Sequence, residues 1–142
     1  MTLTTDRRIE LLETVGLFDG ISRDGLAAVA EKAIEVDFPE GRQIVRQGEV
    51  GTGFFLIATG SADVVRDGRT IARLGPGDFF GELSLLDREP RIATVVAGAP
   101  TTCLAIASWE FETVLETQPG LAIAILRGVA RRLRAVSEEH RH

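Results

Sequence analysis

Between residues 33 and 107 the sequence is a series of short apolar runs, most of them ended by glycine or proline. Runs of this length and alternation are typical of β-strands, and they lie at 33–38, 43–46, 53–58, 62–66, 70–74, 92–97 and 101–107. The dipeptide Asp67-Gly68 separates two of them and is a strong signal for a tight hairpin. Roughly eight short strands with glycine turns predict a double-sheet jelly roll or β-barrel.

The two ends of the chain have a helical period instead. Thr4 or Thr5 is predicted to cap a first helix, Ser22 a second and Ser108 a third. Pro119 is predicted at the start of a final helix, a position where proline is tolerated. Apolar residues recur along that helix at Leu121, Ile125, Val129, Leu133 and Val136. The expected fold is therefore mainly β with flanking helices.

The length of 142 residues fits one domain with a single core. We expect a helical entry at 1–32, a β-roll at 33–107 and C-terminal helices at 108–140. The sequence has no apolar run long enough to cross a membrane and no signal-peptide core. Its single cysteine, Cys103, rules out an internal disulfide and lies in a strand-like run, which predicts a core residue of a cytoplasmic protein.

The segment from Phe80 to Val95 combines features of an anion site. Gly81 permits close approach of the backbone, and the amides of residues 82–84 would be unpaired donors at the start of one helical turn. Arg91 adds a planar guanidinium that is always charged. Glu82 fits beside an anion if it accepts hydrogen bonds from ligand hydroxyls, as carboxylates do from ribose. Together these residues predict a site for a phosphorylated sugar.

The same segment closely resembles the phosphate-binding cassette of cyclic nucleotide-binding domains. The matching residues are Phe-Gly-Glu-Leu-Ser-Leu at 80–85 and Pro-Arg-Ile-Ala at 90–93, so the cassette spans 80–93. The resemblance implies that Glu82 binds the ribose 2′-hydroxyl and that Arg91 binds the cyclic phosphate. It implies further ligand contacts at Gly81, Leu83, Ser84, Ile92 and Ala93. A Glu82–Arg91 salt bridge in a domain without ligand is the alternative.

The resemblance extends from about residue 17 to 139 and is strongest to the sensor half of catabolite activator-type bacterial regulators. It implies an apolar base pocket formed by Val64, Ile71, Ala72 and Phe80. It also implies that the last helix reaches the base through Arg132, Val136 and Ser137. In the family a Thr-Ser pair occupies the last two positions, so here only Ser137 retains a hydroxyl.

Ile92 occupies the position that is Ser or Ala in cAMP-binding members of the family and Thr in cGMP-selective ones. The absence of threonine favours cAMP over cGMP as the ligand. The bulk of Ile92 favours a second hypothesis, a ligand-free interaction or dimerisation module that retains the fold. So does the end of the sequence at His142, where the family continues into an effector module.

The first hypothesis is a cyclic nucleotide sensor that moves its C-terminal helix against an effector protein or a second copy of the chain. An enzyme is not expected, because both histidines, His140 and His142, lie in the tail and none lies in the strands. We therefore predict no catalytic residue, no metal and no cofactor. The formal net charge of −5 argues against direct nucleic-acid binding.

Overall fold

The computed structural model describes residues 2–51, 53–81 and 89–139. These residues form four α-helices, one 3-10 turn (Gly16–Phe18) and eight β-strands. The helices are α1 (Thr5–Glu13), α2 (Arg23–Lys32), α3 (Ser108–Thr117) and α4 (Pro119–Glu139). The strands are β1 (Ile34–Phe38), β2 (Gln43–Val45), β3 (Gly53–Thr59), β4 (Ala62–Arg66), β5 (Arg69–Leu74), β6 (Phe79–Phe80), β7 (Thr94–Ala97) and β8 (Thr101–Ala107). The predicted mainly-β fold with flanking helices is confirmed.

The strands form two antiparallel four-stranded sheets. The first sheet has the order β1-β8-β3-β6, and the second has the order β2-β7-β4-β5. Among the described strands, only β4 and β5 are neighbours both in sequence and in a sheet, so the chain crosses repeatedly from one sheet to the other. This path places Arg91, Gly53 and Gly81 together at one end of the roll.

The β4–β5 hairpin turns at Asp67 and Gly68, as the sequence predicts. Both residues have positive φ angles, 52° and 79°, which a two-residue turn of this hand requires. The register shifts further along: Val64 lies opposite Ala72, whereas Val65 lies opposite Thr70. Ile71 is therefore an extra residue in β5, and its side chain is 57% exposed.

Two apolar cores lie on opposite faces of the first sheet. Phe54 and Leu56 of β3 face the helices, whereas the intervening Phe55 and the following Ile57 face the second sheet. The core between the sheets also contains Cys103, which is fully buried. Burial raises the pKa of its thiol to about 12. The predicted core position of this cysteine is confirmed.

Two of the three predicted helix caps are present. Thr4 Oγ1 accepts a hydrogen bond from the amide of Arg7 at 3.1 Å, and Ser22 Oγ accepts one from Gly25 at 3.2 Å. The prediction that Ser108 caps α3 is wrong. β8 runs directly into α3 with Ala107 in the cap position, so Ser108 is the first helical residue. Its hydroxyl is buried and has no hydrogen-bond partner among the described atoms.

Helix α4 begins at Pro119, as predicted, and its apolar residues fall into two groups. Leu121 and Ile125 are buried, and Val129 packs against the same core. Leu133 and Val136 lie further along the helix and are 66% and 52% exposed. The first half of α4 is thus part of the core, and the second half extends beyond it. No helix in the described part of the chain combines the length and the apolar character needed to span a membrane.

Candidate ligand-binding site

The backbone of Arg91 is held by the loop that connects β2 to β3. The amide of Arg91 donates to the carbonyl oxygen of Glu49 at 2.7 Å, and the amide of Gly48 donates to the carbonyl oxygen of Arg91 at 2.8 Å. An isolated antiparallel bridge between Val50 and Pro90 continues this pairing. The side chain of Arg91 therefore projects from a hydrogen-bonded backbone segment.

The side chain of Arg91 lies between β3 and the residue that follows β6. Its Nη2 donates to the carbonyl oxygen of Gly53 at 2.7 Å. A Cβ atom added to Gly81 would overlap Nη1 of Arg91 and would lie 2.9 Å from the oxygen of Gly53. Gly81 also has a φ of 79°, in the region that favours glycine. The φ angle and the backbone oxygen of Gly53 therefore both disfavour a side chain at 81, and a Cβ there would also displace the guanidinium.

The rest of the predicted phosphate and ribose site is only partly described. Ile92 is 75% exposed, and Ala93 is buried. Glu82, Leu83 and Ser84 lie outside the described residues, and so does the alternative Glu82–Arg91 salt bridge.

The residues predicted to form the base pocket come from both sheets. Phe80 is 9% exposed and stacks on Phe55, with ring centroids 5.3 Å apart and an interplanar angle of 15°. Val64 packs against the same cluster of residues as Phe80. Its cross-strand partner Ala72 is exposed, like Ile71 at the register shift. The structure therefore groups Phe80 with Val64, and it places Ala72 and Ile71 beside Val64 on β5.

The residues predicted on the last helix all belong to the second half of α4. Val136 and Ser137 are both exposed on the second half of α4. The side chain of Arg132 lies outside the described part of the structure. In this arrangement the end of α4 leaves Val136 and Ser137 open to solvent.

Sequence reasoning did not identify one residue of the loop that pairs with Arg91, Gln47. The amide of Gln47 donates to Thr94 Oγ1 at 2.9 Å, and its side-chain Nε2 donates to Asp67 Oδ1 at 2.8 Å. In return, the amide of Asp67 donates to Gln47 Oε1 at 3.0 Å. These bonds join three loops that are far apart in sequence, so neither periodicity nor local turn chemistry could have indicated them.

A cavity of about 560 Å³ lies at the same end of the first sheet. It shares Gly53 with the arginine site, and the ion pair between Lys32 and Glu110 (3.7 Å) lies on its lining. The described lining residues are Glu31, Lys32, Ile34, Gly53, Phe54, Phe55, Ala105, Ile106, Ala107, Trp109 and Glu110. None of the four predicted base-pocket residues is among them. The cavity therefore does not coincide with the predicted base pocket.

The two-sheet roll, with a paired loop that holds an arginine beside a glycine, has the architecture of a regulatory ligand-binding domain. Residues 35–118 match the family model of the cyclic nucleotide-binding domain, which is more than half of the chain. The chain belongs to the cyclic nucleotide-binding domain family, as its sequence motif predicts. Members of this family are regulatory domains and not enzymes.

Characterised relatives and solved structures agree with this assignment. The CRP-like cAMP-activated global transcriptional regulator of Mycobacterium tuberculosis (strain ATCC 25618 / H37Rv) is 31% identical over 130 residues, which cover 88% of this chain and 58% of that protein. The N-terminal domain of a transcriptional regulator from Streptomyces coelicolor A3(2) superposes with a TM-score of 0.84 at 31% identity, covering 91% of this chain and 93% of that one. Thermus thermophilus Catabolite Activator Protein superposes with a TM-score of 0.70 at 33% identity, covering 88% and 61%. The chain thus spans less than two thirds of the Mycobacterium regulator.

Proposed function

We propose that this domain is a cyclic nucleotide sensor that binds cAMP in preference to cGMP. The observation that carries the proposal is the position of the Arg91 guanidinium, which lies against Gly81 and donates to Gly53 within the segment that matches the family. A fixed, planar cation beside a glycine that leaves the backbone accessible is suited to a cyclic phosphate.

Each part of the nucleotide has proposed contacts. Arg91 binds the phosphate, and Glu82 accepts hydrogen bonds from the ribose hydroxyls. Further phosphate and ribose contacts are assigned to Gly81, Leu83, Ser84, Ile92 and Ala93. The base lies against Val64, Ile71, Ala72 and Phe80, and it is covered by Arg132, Val136 and Ser137 of α4.

The preference for cAMP rests on Ile92 and on the relatives. Ile92 has no hydroxyl that could accept a hydrogen bond from the 2-amino group of guanine, and its side chain is exposed. The Mycobacterium regulator is named as cAMP-activated. A cAMP ligand is therefore favoured for this chain too.

The output passes through α4. Its outer face carries large apolar residues that are between 50% and 67% exposed: Ile123, Leu126, Leu133 and Val136. Ile123, Leu126 and Leu133 are separated by three and by seven residues, a spacing that places them on one side of a helix and suits pairing with a second copy or an effector protein. If α4 has two positions relative to the roll, the ligand would favour the one in which the protein binds it more tightly.

A ligand-free interaction module is the second candidate, and the exposed face of α4 supports it equally. A cytoplasmic location stays a prediction, which rests on the single buried cysteine, Cys103.

Calorimetric titration with cAMP and cGMP tests the proposal, after unfolding and refolding to remove any ligand from the host. We expect cAMP to bind more tightly than cGMP. Arg91→Ala should weaken cAMP binding by about 30-fold or more, because it removes a charged hydrogen-bonding partner of the phosphate. Arg42→Ala, at an exposed arginine in the turn before β2, is the matched control and should bind like the wild type. Absence of both heat and a thermal shift in the wild type would contradict the sensor and favour the interaction module.

A further inference from the structure

Three loops meet at the end of the roll that holds Arg91, and Gln47 contacts two of them directly. Its backbone amide donates to Thr94 at the start of β7, and its side chain exchanges two hydrogen bonds with Asp67 at the β4–β5 turn. The next two residues along the chain, Gly48 and Glu49, form the backbone pairing with Arg91.

We propose that Gln47 is a positioning residue of the nucleotide site, which fixes the phosphate-binding arginine relative to the hairpin that carries the base pocket. The inference rests on the proposed function. The hairpin β4–β5 contains Val64 and Ala72, and Asp67 lies at its tip. Gln47 is thus hydrogen-bonded to the tip of the hairpin, and along the chain it is followed directly by the residues that pair with Arg91.

This link matters because a cyclic nucleotide contacts both parts at once. The phosphate and the base are held rigidly at opposite ends of one small ligand. A protein that already holds its two contact regions at the right separation loses less conformational freedom on binding. Loosening the hairpin from the Arg91 loop should therefore weaken binding without removing any group that contacts the ligand.

The bonding pattern requires an amide side chain at 47. Its Nε2 donates to the carboxylate of Asp67, and its Oε1 accepts from the amide of the same residue. A glutamate in this place would keep the acceptor but lose the donor, and it would face a second carboxylate. An asparagine at 67 would restore a donor, and asparagine tolerates the positive φ of 52° at that position.

The test compares Q47E with the double variant Q47E/D67N by cAMP calorimetry. We expect Q47E to weaken cAMP binding by about three- to tenfold, since it breaks one hydrogen bond and opposes two charges. The double variant should return to within about twofold of the wild type, because a donor again faces an acceptor. Q43E, at an exposed glutamine in β2, adds the same charge nearby and should bind like the wild type. Failure of the double variant to rescue binding would overturn the role of Gln47.

Charge alone predicts a different pattern. If the added negative charge only repelled the phosphate, D67N would tighten cAMP binding by about the factor by which Q47E weakens it. We expect no such tightening, because asparagine at 67 keeps an acceptor for Nε2 and a backbone donor. A tightening of that size would overturn the positioning role.

Amide hydrogen exchange of the ligand-free protein separates this inference from the proposed function. The amides of Gly48 and Arg91 are both in the pairing that Gln47 adjoins. Q47E should speed their exchange several-fold and Q47E/D67N should restore it. A wild type that binds no cyclic nucleotide would contradict the sensor, yet the exchange rates would still decide whether Gln47 holds the Arg91 loop. Unchanged exchange in Q47E would overturn the inference.

Discussion

At the scale of single residues, the site depends on a glycine whose role is steric. Gly81 has the same φ as Gly68 of the hairpin turn, 79°. A Cβ at 68 would meet nothing within 4 Å, whereas a Cβ at 81 would overlap the guanidinium of Arg91. The two glycines therefore adopt the same positive φ, but only at 81 does the absence of a side chain make room for the guanidinium.

We predict that Gly81→Ala and Gly68→Ala each lower the free energy of unfolding by about 1–3 kcal/mol, because alanine disfavours this φ. Only Gly81→Ala should displace Arg91 and weaken cAMP binding, by about tenfold or more. Urea unfolding measures the first effect and calorimetry the second. Equal affinities in the two variants would show that the position of the guanidinium beside Gly81 is unimportant for ligand binding.

At the scale of elements, the predicted strands and helix caps depended on local chemistry, and most of them are confirmed. The strands other than the two-residue β6 follow alternation and turn residues, and the caps at Thr4 and Ser22 follow side-chain oxygens next to a helix start. Ser108 has the same local pattern, but the direct passage from β8 into α3 buries its hydroxyl. Burial is set by tertiary packing, which a local pattern does not contain.

In the candidate site, too, local features could be predicted and long-range contacts could not. Arg91 and Gly81 could be identified from one two-part motif within a single short segment, and the structure brings them into contact. The bonds of Gln47 to Asp67 and Thr94 could not be identified, because they join loops 20 and 47 residues away along the chain.

Helix α4 carries its own prediction at this scale. If its outer face pairs with a second copy, Leu126→Gln should weaken the dimer by at least about tenfold, since each copy loses a buried leucine side chain. Arg127→Gln, at the next position, which is also exposed, should have a much smaller effect on association. Sedimentation analysis over a range of concentrations measures both. A dimer that is unaffected by Leu126→Gln would have its interface elsewhere.

At the scale of the whole molecule, the two cores assign different tasks to the two halves of α4. Leu121 and Ile125 complete the core between the helices and the first sheet. The second half carries Val136 and Ser137, the proposed cover of the base, and both are exposed. The stability of the fold and the response to ligand should therefore be separable by cutting the helix between these two halves.

We predict that a chain truncated after Val129 stays folded, with a free energy of unfolding within about 1 kcal/mol of the full chain, because the apolar side chains that it loses are all exposed. With cAMP at a hundred times its dissociation constant, binding should stabilise the full chain by about 2.7 kcal/mol. The same cAMP concentration should stabilise the truncated chain less, since the proposed contacts of the base with α4 are gone. Chemical unfolding with and without cAMP measures both quantities. Equal stabilisation of the two chains would mean that α4 does not cover the ligand, and its movement could then not be driven by contact with the base.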